Sequence, residues 1–224
     1  MEEQSLSLSF GNSLSEEISD IASEYAELGL DALTEDGLFK DLPFVSSVVA
    51  VYKIGKSIRE RHHLAKLVSF LNEINRNIVA EEKRQIYRNK FTSNENFRNQ
   101  ELEFILVLID RYISFDKPQM LAKLYLSYLD EDIEWKEFTK YAEVIDNFLP
   151  GDKEFFINPS MSFCSFLSSM PDTIIRLSAL GLYQEHDWGV DIPITSQRIE
   201  IPPKNNVTYR LTDFGQKLYN ILHS

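Results

Sequence analysis

Residues 41–78 have the sequence DLPFVSSVVAVYKIGKSIRERHHLAKLVSFLNEINRNI, the longest stretch of the chain with a single periodicity. Its apolar residues recur mostly every three or four positions, which places them along one side of an α-helix. Asp41 suits the N-cap, and Pro43 suits the first turn, where a missing N–H costs nothing. Gly55 interrupts the pattern and weakens a helix by about 1 kcal/mol relative to alanine. We therefore predict a helix from 43 to 78 that is kinked or broken near Gly55.

The same stretch carries much of the positive charge of an acidic protein. The 224-residue chain has a formal net charge of −12, yet residues 41–90 hold ten bases and five acids. Residues 1–40 hold ten acids and one base. This segregation predicts that an acidic first helix packs against the basic second helix. The overall acidity argues against non-specific nucleic-acid binding, whose affinity comes mainly from Lys and Arg side chains that neutralise phosphates.

The composition of the chain changes at Gly151. Before it, apolar residues at helical spacing predict further helices over 13–33, 97–114, 116–129 and 135–148. After it come a short helix from Pro171, strand and loop composition over 187–206, a strand at 207–211 and a closing helix. We predict a mainly α protein in three parts. They are a flexible N-terminus (1–12), an N-terminal helical bundle (13–150) and a small α+β domain (151–224).

The C-terminal part resembles the second half of a winged-helix module. The resemblance covers about residues 152–224 and rests on two segments, LGL at 180–182 and YRLTDFGQKLYNIL at 209–222. In the second segment Leu211, Thr212, Gly215 and Leu218 match the start of the closing helix of that module. The resemblance implies that the helix before the LGL turn is a recognition helix and that a β-hairpin forms the wing.

The basic stretch resembles a segment of poorly characterised bacterial proteins of about this length, which carry an IPxVxxxVxxYKxGxxIRDR-like helix. The matching residues are Leu42, Pro43, Val45, Tyr52, Lys53, Gly55, Ile58 and Arg59. No known activity attaches to that family. An association with phage-defence or mobile-element genes is what the resemblance implies for the biological setting.

The sequence contains no motif that is typical of a catalytic or metal site. It has no glycine-rich phosphate loop, no Gly-x-Ser-x-Gly and no His-Glu-x-x-His. His62 and His63 are adjacent, so they point about 100° apart on a helix and cannot share a metal as i,i+4 ligands would. The single cysteine, Cys164, excludes an internal disulfide and suits a small buried hydrophobe. We expect a protein that is not an enzyme and that needs no cofactor or metal.

Basic side chains are the candidate binding residues for a partner or nucleic acid. Those of the long helix are Lys53, Lys56, Arg59 and Arg61, and those of the C-terminal domain are Arg176, Arg198, Lys204 and Arg210. Arg59 and Arg61 either bind phosphate or pair with the acidic first helix, and we favour pairing because an Arg at an interface usually finds a carboxylate.

Three functions are compatible with these patterns. The favoured hypothesis is a non-enzymatic interaction protein of bacterial type that binds a macromolecule, in the first place a protein. The alternatives are a winged-helix transcriptional regulator that binds DNA through 171–210, and a membrane-acting effector that uses the amphipathic helix 43–61. The N-terminus lacks the basic and apolar regions of a signal peptide, and one cysteine fits a reducing compartment, so we expect the cytoplasm.

Overall fold

The computed structural model describes residues 58–77, 95–158, 163–166, 172–186 and 207–223, together with the isolated positions 82, 85, 86, 89 and 93. The chain divides into two compact units, Met1–Asp146 and Asn147–Ser224. We call them the helical unit and the C-terminal unit. The sequence predicts the boundary slightly later, after residue 150. The predicted flexible N-terminus, the first helix, the break at Gly55 and residues 43–57 of the proposed membrane segment lie outside the described residues, and the last four residues of that segment begin α1.

The described part of the helical unit consists of four helices: α1 (Ile58–Asn77), α2 (Glu95–Arg111), α3 (Asp116–Leu129) and α4 (Trp135–Asp146). Helix α3 packs against both α1 and α4, and α1 also packs against α2. The side chains with no exposed surface define the core: Phe70, Ile74, Ile105, Ile109, Leu121, Ala122, Leu124, Tyr125, Phe138, Ala142 and Ile145. Their helical spacing is the one that the sequence predicts, because burial of one apolar stripe stabilises each helix.

A short acidic joint connects α3 to α4. The backbone N–H of Asp130 donates to Leu126 O at 2.8 Å, and that of Asp132 donates to Ser127 O at 2.9 Å. Glu131 lies between them with φ 68°, in the left-handed region that closes helices. The carboxylate of Glu137 then accepts a hydrogen bond from the backbone N–H of Glu134 at 3.2 Å, which satisfies a free donor at the start of α4.

The described part of the C-terminal unit combines three helices with a small sheet. Its elements are α5 (Asp152–Ile157), β1 (Phe163–Phe166), α6 (Asp172–Ala179), β2 (Tyr183–His186), β3 (Val207–Leu211) and α7 (Asp213–His223). The three strands are antiparallel in the order β1-β3-β2. Phe163 lies opposite Arg210, and Tyr183 lies opposite Leu211. The described residues are therefore mainly helical with a small antiparallel sheet, which confirms the predicted fold class at this level.

A glycine turn ends α6 and begins β2. The N–H of Gly181 donates to Ser178 O at 2.9 Å, and the N–H of Leu182 donates to Leu177 O at 3.0 Å. This pair of bonds satisfies carbonyls at the helix end and requires a left-handed residue, which Gly181 supplies with φ 79°. The Leu-Gly-Leu sequence thus has a direct structural reason.

Helix α7 begins directly against this turn. The hydroxyl of Thr212 accepts a hydrogen bond from Gly215 N–H at 2.9 Å and donates to Gly181 O at 2.6 Å, so Thr212 is the N-cap. Its own N–H donates to Leu182 O at 3.0 Å. A Cβ on Gly215 would lie 2.2 Å from Leu182 O, so only glycine fits there. The Leu-Thr-x-x-Gly pattern therefore joins the last helix to the turn after α6.

Candidate functional site

The solvent-facing side of α6 is the first candidate interaction surface. Ile174 and Leu177 are fully buried, whereas Asp172, Ile175 and Ala179 are exposed, and Ile175 retains 52% of its accessible surface. These three exposed residues follow at steps of three and four, so they lie along one side of the helix. We call them the α6 surface. It presents an isoleucine and a carboxylate, with no cation among its three members.

Arg176, the only base of α6, is bound within the unit. Its Nε donates to Asp152 Oδ2 at 3.1 Å, and its Nη2 donates to the other carboxylate oxygen. Asp152 is 1% exposed and also accepts the N–H of Leu149 at 2.7 Å. The hydrogen bonds to Asp152 raise the pKa of the Arg176 guanidinium. The sequence predicts Arg176 as a binding residue, but the structure places it in a two-point ion pair that fixes α6 to the start of α5.

The other predicted base with a described side chain in this unit is Arg210, exposed on β3. It lies opposite Gln184 of β2. With the Gln184 carboxamide oxygen facing the guanidinium, the oxygen accepts from Arg210 Nη2 at 3.1 Å and from Nε at 3.0 Å. Arg198 and Lys204 lie outside the described residues. The structure therefore does not bring the four predicted bases of this unit into one described patch.

On α1 the predicted bases meet an acid of α2. The guanidinium of Arg59 is 84% exposed and lies 3.0 Å from a carboxylate oxygen of Asp110. The sequence predicts pairing with the acidic first helix, whereas the described partner belongs to α2. Such an exposed pair contributes about 0–1 kcal/mol. Arg61 also lies on α1, and Lys53 and Lys56 lie outside the described residues.

Lys66 of α1 is a buried cation that binds the end of α2. It is 2% exposed, and its Nζ donates to Asp110 O at 2.9 Å and to Tyr112 O at 2.6 Å. Burial lowers the pKa of Lys66, and the nearby Asp110 carboxylate opposes that shift. A cation at this position also interacts favourably with the negative end of the helix dipole. The lysine therefore anchors α1 to the C-terminus of α2.

His63 lies beside this lysine. Its Nδ1 is 3.4 Å from an oxygen of Asp110, and its side chain is 14% exposed. Burial lowers the pKa of His63, and the cations Lys66 and Arg59 lower it further. The Asp110 carboxylate acts in the opposite direction. His62 points elsewhere and contacts the ring of Phe115 at 4.9 Å between centroids. The two histidines thus diverge, as their adjacent positions on a helix predict.

A buried carboxyl group lies between α2 and α3. Glu101 is 5% exposed and accepts hydrogen bonds from the hydroxyls of Tyr128 at 2.5 Å and Tyr125 at 3.4 Å. Burial raises the pKa of Glu101, and the two hydroxyl donors oppose that shift. The sequence patterns did not predict this group, although a glutamate within the apolar stretch ELEFILVLI is a visible signal. Within the described ranges no three His, Cys, Asp or Glu residues are grouped to hold a metal ion.

Across the described helices, none combines the length and the apolar character needed to cross a membrane. No family model, curated protein or solved structure matches the chain.

Proposed function

We propose that this chain is a non-enzymatic cytoplasmic interaction protein of bacterial type, and that its C-terminal unit docks on a protein partner through the α6 surface. One observation carries the proposal. The exposed side of α6 is aliphatic and acidic, while the only base of the helix is bound to Asp152. The phage-defence or mobile-element setting rests on the resemblance of the basic stretch alone.

We further propose that the C-terminal unit is a winged-helix-like module. Helix α6, the glycine turn, the antiparallel β2–β3 pair and the capped helix α7 follow one another in the order that the resemblance implies. The Thr212 cap and the close approach at Gly215 give the matching sequence motif a structural reason, which supports the proposal. Winged helices bind proteins as well as DNA, so the surface chemistry decides the partner.

The chemistry of α6 favours a protein over DNA. Base edges in the major groove are recognised mainly by Arg, Lys, Asn and Gln side chains, and phosphates by cations. The α6 surface instead offers Ile175 as an apolar contact, with Asp172 in the first turn as a negative charge. A carboxylate at that place would repel phosphates. An isoleucine beside a carboxylate suits an apolar protein surface with a basic rim.

A comparison of two charge-introducing variants tests the proposal. Ile175 and Val107 are equally exposed, at 52% each, but Val107 lies on α2 of the helical unit. Tagged full-length wild type, Ile175→Glu and Val107→Glu are purified from the native host with and without nuclease. We expect a stoichiometric protein that survives nuclease, is retained by Val107→Glu and is lost with Ile175→Glu.

The partner so identified is then purified and its affinity measured for each variant. We expect Ile175→Glu to weaken binding at least about tenfold, the loss that follows when a charge enters the apolar centre of an interface. Equal affinities for wild type and Ile175→Glu would refute the α6 surface as the docking site. Recovery of DNA of defined sequence in place of a protein would refute the proposed function and support the regulator.

A further inference from the structure

The helical unit carries a second surface, built from three aromatic rings on three helices. Phe104 belongs to α2, Tyr128 to α3 and Trp135 to α4, and all three are only partly buried. The ring centroid of Trp135 lies 5.2 Å from that of Tyr128 and 5.7 Å from that of Phe104. We call this trio the aromatic surface. It belongs to the helical unit, whereas the α6 surface belongs to the C-terminal unit.

The rings are held in fixed positions from below. Trp135 stacks on the fully buried Phe138 at 4.7 Å with an angle of 17° between the planes. Tyr128 is held through its hydroxyl, which donates to the buried carboxyl of Glu101 at 2.5 Å. Since the side chains are already ordered, little conformational entropy would be lost when a ligand binds.

Four carboxylates lie next to two of these rings in the chain. The α3–α4 joint, residues 130–134, has the sequence DEDIE, with four acids and no base. All four acids are exposed, whereas Ile133 is buried and anchors the joint. Trp135 follows the joint directly in the chain, and one residue, Leu129, separates Tyr128 from the joint. The partner that complements this charge is cationic.

We propose that the aromatic surface, with the acidic joint beside it, binds an arginine-bearing basic segment of a partner protein. A guanidinium group is planar, stacks on aromatic faces and bonds to carboxylates with two parallel hydrogen bonds. Phe104, Tyr128 and Trp135 supply the rings, and the joint supplies the carboxylates. Phosphates of nucleic acid and an apolar segment are both disfavoured by the four exposed acids. This inference does not depend on the α6 surface.

Trp135 itself reports on binding. The chain has two tryptophans, so Trp188→Phe leaves Trp135 as the only one. The full-length Trp188→Phe protein is titrated with a nona-arginine peptide, and then with nona-lysine and nona-glutamate. We expect a saturable change in tryptophan emission with nona-arginine and a severalfold weaker affinity for nona-lysine, because the ammonium does not stack. No change in emission, or equal affinity for both cationic peptides, would overturn the proposal.

Charge-matched variants separate a specific site from general attraction to an acidic protein. Asp132→Asn with Glu134→Gln removes two charges from the joint. Glu154→Gln with Glu185→Gln removes two exposed charges from the C-terminal unit, and glutamine can still accept the hydrogen bond of the Tyr209 hydroxyl. Affinity for labelled nona-arginine is measured by fluorescence anisotropy. We expect about a tenfold loss for the joint pair and less than about a twofold change for the control pair.

The rings are tested separately. Trp135→Leu keeps apolar volume but removes the indole face, and we expect it to weaken binding about fivefold. Phe104→Leu is the second variant, used where circular dichroism shows that Trp135→Leu alters the fold. Unchanged affinity in the folded ring variant, or equal losses for both charge-removing pairs, would show that net charge alone attracts the peptide and would overturn the proposal.

Discussion

Substitution of Gly215 by alanine sets two physical effects against each other. Gly215 lies in the first turn of α7, where helix propensity alone favours alanine by about 1 kcal/mol. The structure predicts the opposite sign. A Cβ at this position would lie 2.2 Å from Leu182 O, 2.9 Å from its carbonyl carbon and 3.1 Å from its Cα. All three atoms are backbone, so no side-chain rotation can relieve the overlap.

The size of the effect follows from the movement required. To reach a separation of 3.0 Å, below which Cβ contacts essentially do not occur, α7 must shift from the turn by at least about 0.8 Å. Overpacking of this kind costs about 1–3 kcal/mol. The shift also strains the 3.0 Å bond from Thr212 N–H to Leu182 O, which contributes about 1 kcal/mol. After the gain in propensity is subtracted, we expect the C-terminal unit to lose about 2 kcal/mol.

Hydrogen exchange by mass spectrometry, with urea as denaturant, localises the loss to one unit. Peptides covering 172–186 and 207–223 should exchange earlier in Gly215→Ala, while those covering 116–146 keep their wild-type midpoint. Asn220→Ala is the matched control, because it introduces alanine at an exposed position of the same helix. A Gly215→Ala protein that is as stable as Asn220→Ala, or more so, would refute the close approach of α7 to the turn.

Three further predictions concern the helical unit and are measured by urea unfolding. Lys66→Met should lower its unfolding free energy by about 2–3 kcal/mol, because two carbonyls at the end of α2 lose a charged donor; a loss below about 0.5 kcal/mol would contradict the anchoring role. Glu101→Gln should be at least as stable as wild type at neutral pH. The raised pKa of Glu101 means that the stability this group contributes below pH 4.5 is lost as the pH rises, whereas glutamine stays neutral and still accepts the hydrogen bond of the Tyr128 hydroxyl. A clearly less stable variant would contradict this. The lowered pKa of His63 means that the stability this group contributes above pH 6.5 is lost as the pH falls. His63→Gln should therefore flatten the acid side of the plot of unfolding free energy against pH more than His62→Gln does. Equal slopes for the two variants would contradict this.

The helices of the first unit were predictable because their evidence is local. The predicted helices 97–114, 116–129 and 135–148 correspond to α2, α3 and α4, since each buries a stripe repeated every three or four residues. Strand β1 was not predicted, because it pairs with β3, more than forty residues further along the chain. Helix α5 was also missed, because its few residues directly follow Pro150-Gly151, a sequence typical of a helix end.

The candidate sites were predictable only as residue types. Sequence singles out Arg176 as a base on a recognition-like helix, but its partner Asp152 is 24 residues earlier and lies on a helix that the pattern does not show. The sequence does not single out Ile175, since an isoleucine in an amphipathic helix is expected to be buried. Its exposure is determined by the orientation of α6 in its unit. Likewise Phe104, Tyr128 and Trp135 come from three helices, so only the tertiary packing brings their rings together.

Both proposed surfaces have the same physical origin, because several basic side chains bond to acceptors within the fold. Arg111 pairs with Asp146, Lys117 donates to the carbonyl of the same residue, and Lys66 donates to carbonyls at the end of α2. Arg176 is similarly bound to a buried acid. Each of these cations stabilises a junction between helices and is then less able to contact a ligand. In a chain with a net charge of −12, such pairing further raises the share of carboxylates among the charges that face solvent. Partners with basic and apolar surfaces are therefore the ones that we propose for this protein, because steering by opposite charge acts before any contact forms.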